Sequence, residues 1–267
     1  MARIGVVAGS GKLPILFADI AKARGDKVVG VGLKGVTDEA LEGHVDKFIW
    51  FERGAIQKIV LMLVADRINN IVLLGKLNKD IAFKGGTGLD EDTRTLLGKL
   101  DDRKDYSILN EAAKFLKKFG IEVIDPTPYL KDFIPSKGVL TKRPPTTEES
   151  EDIEYAKSIA QELTRFDIGQ TVAVKNKTVI ALEAVEGTDA AIARAGGLAK
   201  KGFVVAKFAR PNQDMRFDVP LVGLETVEAL ARAGGTALAL ESGRTFLIDR
   251  EGIIRFADEK DLSVVIV

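Results

Sequence analysis

The chain has 267 residues, 46% of them hydrophobic, and its 39 basic and 39 acidic side chains leave a formal net charge of +0. This length allows one large or two medium-sized domains, and the neutral balance argues against a nucleic-acid partner, which usually brings a basic excess. The absence of cysteine excludes disulfides, thiolate metal sites and thiol nucleophiles, and the single histidine, His44, excludes a multi-histidine metal site.

The start of the sequence carries no secretory signal pattern, because an apolar strand follows Met-Ala-Arg directly. No apolar run approaches the roughly 20 residues that are needed to span a bilayer. We therefore expect a cytoplasmic protein that meets any lipid at a surface or in a groove.

Strand and helix patterns alternate along the first half of the chain. Short β-branched runs predict strands, and longer stretches with apolar residues at helical spacing predict helices. The predicted strands cover 3–8, 27–33, 47–51, 70–74 and 121–124, and the predicted helices cover 13–23, 55–65 and 105–119. This alternation is typical of βαβ units with a parallel sheet, so residues 1–130 are predicted to form a Rossmann-like domain.

Prolines interrupt this rhythm in the middle of the chain. Five of the eight prolines lie between Pro126 and Pro145, and the adjacent Pro144 and Pro145 cannot continue a helix. We therefore place a proline-rich linker at residues 131–146 and begin the second domain at residue 147.

The second half combines a hairpin with further strands and helices. A helix is predicted from Thr147, and strands 170–175 and 178–183 are predicted to pair through a turn at Asn176-Lys177. Further predicted helices cover 189–200 and 225–232, and further strands cover 203–208, 236–240, 245–248 and a segment near Val264. Residues 147–267 are thus predicted to be a mixed α/β domain.

The first segment that can carry chemistry is Ala8-Gly-Ser-Gly-Lys-Leu-Pro14, between the first predicted strand and helix. It is not a Walker A loop, because Leu13 follows Lys12, and it is not GxGxxG, because Pro14 stands at the third glycine position. The segment is either a tight turn or a place where Ser10 and Gly11 bind part of a nucleotide or sugar. Another glycine-rich stretch, 84–88, predicts a flexible loop that can act as a lid.

The second segment is Glu186-Gly-Thr-Asp189, which ends a predicted strand and opens a helix. Thr188 is a natural N-cap and Asp189 suits the helix dipole, so capping alone explains both residues. Alternatively, the loop lies at the carboxyl edge of a sheet, where open α/β sheets bind ligands.

The third segment runs from Lys207 to Pro220 and has the densest charge. If it is extended, Asp214, Arg216 and Asp218 project to one side at a period of two. Two carboxylates can hold Mg²⁺ or Mn²⁺, an arginine between them can neutralise phosphate, and either carboxylate can serve as a base toward water. The alternative is a surface loop of salt bridges.

Three stretches of this sequence together resemble one protein family. They are the N-terminal AGSGKLP turn, the central GQTVAVKNKTVIALEAVEGTDAAIARAG stretch and the late KFARPNQDMRFDVPLVGLETVEALARAGG stretch. The chain resembles the LpxI-type UDP-2,3-diacylglucosamine pyrophosphatases of lipid A synthesis over nearly its whole length, and PNQDMRFDVPLVG is the most specific element.

The resemblance implies hydrolysis of a lipid-linked UDP-sugar, UDP-2,3-diacylglucosamine, to UMP and 2,3-diacylglucosamine 1-phosphate. It also implies a divalent metal, Mg²⁺ or else Mn²⁺, a site in the cleft between the two domains, a homodimer and peripheral contact with the inner membrane. Carried onto this sequence, it makes Asp218 and Asp214 the catalytic and metal-binding residues. The candidates for substrate binding are Ser10, Gly11, Gln170, Thr188, Asp189, Lys207 and Arg216.

Two other functions remain open at this stage. A non-catalytic nucleotide-sugar-binding protein would share the glycine turn but would not need the aspartates. A nicotinamide-dependent oxidoreductase would use the Rossmann-like half, but the third glycine and the ribose-binding acid of that fingerprint are missing.

Overall fold

A computed structural model describes residues 1–52, 54–76, 91–98, 100 and 105–267, so the glycine-rich stretch 84–88 lies outside the described residues. The chain forms two compact units. Unit 1 contains residues 1–131 together with 214–218, and unit 2 contains residues 132–213 and 219–267. No helix in the described part of the chain combines the length and the apolar character needed to cross a bilayer.

Unit 1 is built on a parallel sheet with the strand order β3-β2-β1-β4-β5. Its strands are β1 (Arg3–Ala8), β2 (Lys27–Leu33), β3 (Lys47–Phe51), β4 (Asn70–Leu74) and β5 (Glu122–Val123). Its helices are α1 (Leu13–Ala23), α2 (Ile56–Ala65), α3 (Glu91–Gly98), α4 (Asp105–Lys117) and α5 (Thr127–Leu130), and a 3₁₀ helix covers Glu39–His44. This order confirms the predicted Rossmann-like sheet, and it reverses between β1 and β4, the position at which such sheets generally bind ligands.

One core of unit 1 lies between the sheet and helix α2. Val29 and Val31 of β2 pack there with Ile59 and Leu63 of α2, and all four side chains are buried. Helix α1 packs against β1 and β2 and buries its own apolar stripe, which includes Phe17. Both stripes recur every three or four residues, as the apolar spacing of the sequence predicts.

Unit 2 is built on a mixed sheet with the strand order β6-β13-β11-β9-β7-β8. Its strands are β6 (Gly138–Val139), β7 (Thr171–Lys175), β8 (Thr178–Leu182), β9 (Phe203–Lys207), β11 (Gly235–Leu240) and β13 (Ser263–Ile266), and β10 (Leu221–Val222) pairs separately with β12 (Phe246–Leu247). Strands β9, β11 and β13 are parallel, and β7 runs antiparallel to β9. The mixed α/β character predicted for this half is therefore confirmed.

Helices cover both faces of the second sheet. Helix α6 (Thr147–Arg165) packs on one face through a stripe that includes Ile153 and Leu163. On the other face lie α7 (Thr188–Ala199), α8 (Leu224–Ala233) and α9 (Arg250–Glu259). Sequence reasoning missed α9, although Asp249 caps it through the amide of Gly252 at 3.1 Å.

Candidate functional site

Polar side chains collect at the carboxyl edge of β9 in unit 2. The strand register places Thr171 of β7 and Leu240 of β11 on either side of Lys207, the last residue of β9. Glu183 follows β8, and its amide donates to the carbonyl oxygen of Thr171 at 2.9 Å. Open α/β sheets bind ligands at this edge. We refer to Thr171, Glu183, Thr188 and Lys207 as the edge site.

The edge site is a connected set of hydrogen bonds in a nearly buried position. Lys207 is only 6% exposed, and its Nζ donates to Oγ1 of Thr188 at 2.6 Å. The Thr188 hydroxyl in turn donates to Oε1 of Glu183 at 3.0 Å, and Oγ1 of Thr171 lies 3.5 Å from the same hydroxyl. A single threonine oxygen therefore joins the ammonium group to the carboxylate.

Opposing influences act on the carboxyl group of Glu183. Burial alone would raise its pKa, but the nearby positive charge of Lys207 and hydrogen bonds from Thr171, Thr188 and the Gln170 amide lower it. The net effect holds the pKa of Glu183 below its ordinary value, so Glu183 is ionised at neutral pH. The edge site thus contains a half-buried carboxylate that Thr188 links to a buried lysine.

Helix α7 begins one residue earlier than predicted, and the capping role proposed for Thr188 is wrong. The N-cap is Gly187, whose φ of 84° suits glycine, and Thr188 is the first residue of the helix. Its hydroxyl is turned to Lys207 and Glu183 instead of capping the helix. Asp189 is exposed and accepts a hydrogen bond from Oγ1 of Thr226 at 3.2 Å.

Two residues that follow β11 hold the chain as it leaves β9. Oε2 of Glu241 accepts from the amide of Ala209 at 2.8 Å, and Arg244 donates to the carbonyl oxygen of Arg210 at 3.2 Å. The Arg210 guanidinium is also paired with Asp167, to which its Nε donates at 2.7 Å. Residues 209 and 210 are therefore fixed by ion pairs and hydrogen bonds within unit 2.

Asp214 and Arg216 lie in unit 1 and pair with each other. The Asp214 carboxylate accepts from the Arg216 amide at 3.0 Å and from its Nη2 at 2.7 Å. This hydrogen-bonded guanidinium lowers the pKa of Asp214 below its usual value. The Phe217 amide donates to the Asp214 carbonyl oxygen at 3.0 Å, so the segment is a turn. The extended segment considered in the sequence analysis is thus wrong, because the Asp214 side chain folds back onto its own backbone.

Phe217 anchors this turn in the core of unit 1. It is 1% exposed, packs edge-on against Tyr106 with 6.1 Å between ring centroids, and lies 4.8 Å from the Arg216 guanidinium. Asp218 follows at once and is exposed, with a φ of 47°. Aspartate is one of the few residues that adopts this left-handed conformation readily. The buried ring therefore holds the adjacent Asp218 at the surface of unit 1.

The turn that contains Ser10 and Gly11 is closed by β4 and the residues after it. The Gly9 amide donates to the Leu74 carbonyl oxygen at 2.7 Å, and the Ser10 and Lys76 amides exchange bonds with each other's carbonyl oxygens at 2.9 Å. These amides already have backbone acceptors, so neither Gly9 nor Ser10 cradles an anion through its own N–H here. Gly11 is exposed with a φ of 98° and stands where α1 begins.

The predicted metal ligands fit a divalent cation only in part. Among the described residues there is no group of three or more histidines, cysteines or carboxylates that could hold a metal ion. Mg²⁺, however, often takes one or two protein carboxylates and completes its shell with water and substrate phosphates. Asp218 is exposed and is a candidate for that arrangement, and the Asp214 carboxylate is paired with Arg216.

The predicted site residues thus fall into local groups. In unit 2, Lys207 is hydrogen-bonded to Thr188, and Asp189 follows Thr188 in α7. The Gln170 amide donates to the carboxylate of Glu183, to which Thr188 also donates. In unit 1, Asp214 and Arg216 form an ion pair with Asp218 close by in sequence, and Ser10 and Gly11 share the first glycine turn. Their individual roles stay predictions.

Sequence reasoning missed Glu183, Thr171, Glu241 and Arg244. Glu183 directly follows β8 and Glu241 directly follows β11. Polar residues after strand ends can indicate the edge of a sheet that binds ligands. No sequence pattern reveals their partners, because the strand register brings those partners together.

Comparison with solved structures gives only weak likenesses. N5-carboxyaminoimidazole synthetase from Staphylococcus aureus, complexed with ADP, is 13% identical, with a TM-score of 0.29 over 65% of this chain and 32% of that chain. A biotin carboxylase from Campylobacter jejuni is 10% identical, with a TM-score of 0.29 over 73% of this chain and 42% of that one. The chain spans less than half the length of these two structures, and the TM-scores are too low to carry any argument.

Sequence comparison gives a much fuller match. A protein of Caulobacter vibrioides named UDP-2,3-diacylglucosamine pyrophosphatase LpxI is 29% identical over 278 aligned residues, covering 99% of this chain and 97% of that protein. Residues 3–133 match the family description LpxI N-terminal domain, and residues 136–265 match LpxI C-terminal domain. Because these two matches run in order over nearly the whole sequence, the chain belongs to the LpxI family.

Proposed function

We propose that this protein is a hydrolase that cleaves the pyrophosphate of UDP-2,3-diacylglucosamine in lipid A biosynthesis, giving UMP and 2,3-diacylglucosamine 1-phosphate. The observation that carries the proposal is the alignment with the Caulobacter vibrioides pyrophosphatase, which covers 99% of this chain. The edge site supports it, because a nearly buried ammonium group at a sheet edge is suited to bind a phosphate oxygen.

In the reaction, a water oxygen forms a bond to one phosphorus of the pyrophosphate and the bridging P–O bond breaks. The bridging oxygen and its electron pair leave with the other phosphate, and the water gives up its protons. We assign Asp218 as the group that orients this water or accepts its proton, because its carboxylate is exposed. Lys207 and Arg216 offset the negative charge of the phosphate oxygens.

The proposal includes a divalent cation, Mg²⁺ or Mn²⁺. Asp218 is the residue we assign to hold it, and Asp214 joins only if its carboxylate leaves Arg216. When bound, such an ion draws electron density from the phosphorus through the phosphate oxygens. Asp218 orients the water, and Lys207 and Arg216 bind the phosphate oxygens.

Location and assembly are part of the same proposal: a cytoplasmic homodimer with peripheral contact to the inner membrane. Phe166 and Val185 are 67% and 61% exposed and lie on the loops that flank the edge site. These loops approach closely, since a Cβ on Gly169 would stand 2.2 Å from the Glu183 carbonyl oxygen. Exposed apolar side chains at this position suit a substrate with two acyl chains.

The experiment that tests the proposed function is an assay of UMP release from purified UDP-2,3-diacylglucosamine, with Mg²⁺, with Mn²⁺ and with EDTA. We expect release with either metal and none with EDTA. Equal release in EDTA would show that the protein is a hydrolase that needs no divalent metal. Binding of the substrate without release under any condition would instead identify a nucleotide-sugar-binding protein.

A further inference from the structure

The edge site places a positive charge at the positive end of a helix. Nζ of Lys207 lies 2.6 Å from Oγ1 of Thr188, the first residue of α7. The N-terminus of a helix carries a partial positive charge, so an ammonium group is unfavourable there and an anion is favourable. Lys207 is also 6% exposed, which adds the cost of removing its charge from water.

Glu183 brings a negative charge that offsets this unfavourable arrangement. It shares the Thr188 hydroxyl with Lys207, and its other oxygen lies 3.4 Å from the Gln170 amide. Lys207 is among the causes that keep Glu183 ionised. Buried charged groups are often replaced by apolar residues of similar size without loss of stability, so they are weak evidence for a stabilising role. A buried lysine that is linked through Thr188 to a half-buried carboxylate, at a ligand-binding edge, therefore points to a function.

We propose that Glu183 is a positioning residue, which holds Lys207 as an ammonium group and directs it, through Thr188, toward a phosphate of the substrate. This inference rests on the proposed function and adds to it a residue outside the segments from which the site was predicted. Glu183 itself does not touch the reacting atoms in this scheme and acts only through Lys207.

Other charged groups are carried by the elements around Lys207. Asp189 follows Thr188 in α7 and is hydrogen-bonded to Thr226. Glu241 follows β11, donates its amide to the Lys207 carbonyl oxygen at 3.3 Å, and directs its carboxylate to the Ala209 amide. The carboxylates of both acids are therefore hydrogen-bonded to groups other than Lys207.

The test is a double-mutant cycle with Glu183→Gln and Lys207→Met, measured as kcat and KM for UMP release between pH 6 and pH 10. We expect each single variant to lower kcat by about 10-fold or more, and the double variant to lose no more than Lys207→Met alone. In Glu183→Gln the alkaline loss of activity should begin at lower pH, because a negative charge near Lys207 has been removed. Glu183→Asp, which restores the charge, should recover part of the rate.

The matched control is Glu151→Gln, which neutralises an exposed Glu–Lys pair in the same unit, with Glu151 and Lys177 2.7 Å apart. It should keep the wild-type rate and pH profile. A folded Glu183→Gln protein with wild-type kcat and pH profile would overturn the inference. A double variant whose loss equals the product of the two single losses would overturn it too, because independent residues multiply.

A second measurement does not depend on activity or on the substrate. The Lys207 side-chain resonance in ¹³C-lysine-labelled protein, assigned by its loss in Lys207→Met, should titrate about one pH unit or more lower in Glu183→Gln than in wild type. An unchanged titration would reject the inference even if Glu183→Gln were unstable. If wild-type protein releases no UMP while the titration moves as expected, the proposed function fails and the Glu183–Lys207 coupling stands.

Discussion

Gly9 and Lys76 lie so close together that a Cβ on Gly9 would stand 2.4 Å from the Lys76 carbonyl oxygen. The same contact is seen from the other side, because a Cβ on Gly75 would stand 2.6 Å from the Ser10 carbonyl oxygen. The backbone bonds between Ser10 and Lys76 close the point where the strand order reverses, between β1 and β4. Gly9 of the first turn is therefore required for the close approach of two backbone segments, whether or not the turn binds a ligand.

The first prediction follows from this contact. Gly9→Ala should destabilise the protein by about 1–3 kcal/mol, because the new methyl group meets backbone atoms that cannot turn aside. The free energy of unfolding from a urea titration measures the effect. Gly43→Ala is the control, because a Cβ there meets no atom within 4 Å, and its effect should stay within about 0.5 kcal/mol. Equal stabilities for the two variants would show that the turn adapts.

The second prediction concerns the hairpin between β7 and β8. The amides of Asn176 and Lys177 donate to the two oxygens of the buried Asp152 carboxylate at 2.8 and 2.6 Å. Asp152→Ala leaves both amides without this acceptor and should cost about 1–3 kcal/mol for each of the two. Asp152→Asn keeps one acceptor oxygen, so its loss of stability should be smaller.

The control for the hairpin is the neighbouring residue Glu151. Its exposed pair with Lys177 should contribute at most about 1 kcal/mol, so Glu151→Gln should change the urea midpoint very little. If Asp152→Ala were as stable as Glu151→Gln, the carboxylate would not be the support of this turn.

Local signals in the sequence were sufficient for most of the fold. The strands β1 to β4 and helix α1 begin and end where the apolar patterns predict, because each element is buried on a face that its own residues define. The hairpin turn at Asn176 and Lys177 is confirmed as well, with φ values of 51° and 53°.

The candidate site was harder to predict because its contacts are not local. Asp214 was expected in an extended segment, but its carboxylate bonds the Arg216 amide two residues later and makes a turn. Glu183 gave no signal, because its environment depends on the register that sets Thr171 opposite Lys207. Spacing along the chain cannot supply such a register, so the link from Glu183 through Thr188 to Lys207 is visible only in the structure.

The third prediction concerns pH and the start of α6. Glu149 pairs with Arg143 at 2.7 Å and completes a capping box with Thr146. Burial would raise the pKa of Glu149, but hydrogen bonds from Arg143 and its other neighbours outweigh burial and lower it. A carboxyl whose pKa is lowered by folding adds stability above its unfolded value of about 4.3, and this stability is lost as pH falls through the folded value.

Glu149→Gln should therefore be less stable than wild type by about 1–3 kcal/mol at pH 7, and the difference should shrink as pH falls from about 5 to about 3. Urea titrations at several pH values measure it. Glu154→Gln changes an exposed acid on the same helix and should run parallel to wild type. A difference that stays constant with pH would exclude an electrostatic origin.

The fourth prediction concerns Asp218, the exposed acid next to the buried ring of Phe217. Asp218→Asn removes the negative charge but keeps a side chain that tolerates the left-handed φ of 47°. We expect kcat for UMP release to fall by about 100-fold or more, because an amide neither accepts a proton nor holds a divalent cation well. Substrate affinity should change less than kcat.

Asp261→Asn is the matched control, because Asp261 is also an aspartate with a positive φ, 53°, and its side chain is 87% exposed. Its kcat should equal that of wild type. The melting temperatures of both variants should be close to wild type, since neither side chain is buried and asparagine tolerates the backbone at both positions. A wild-type kcat in Asp218→Asn would show that Asp218 is neither the base nor the metal ligand. Asp214 would then be the next carboxylate to change, with Arg216→Lys made in parallel to separate the role of the ion pair from that of the acid.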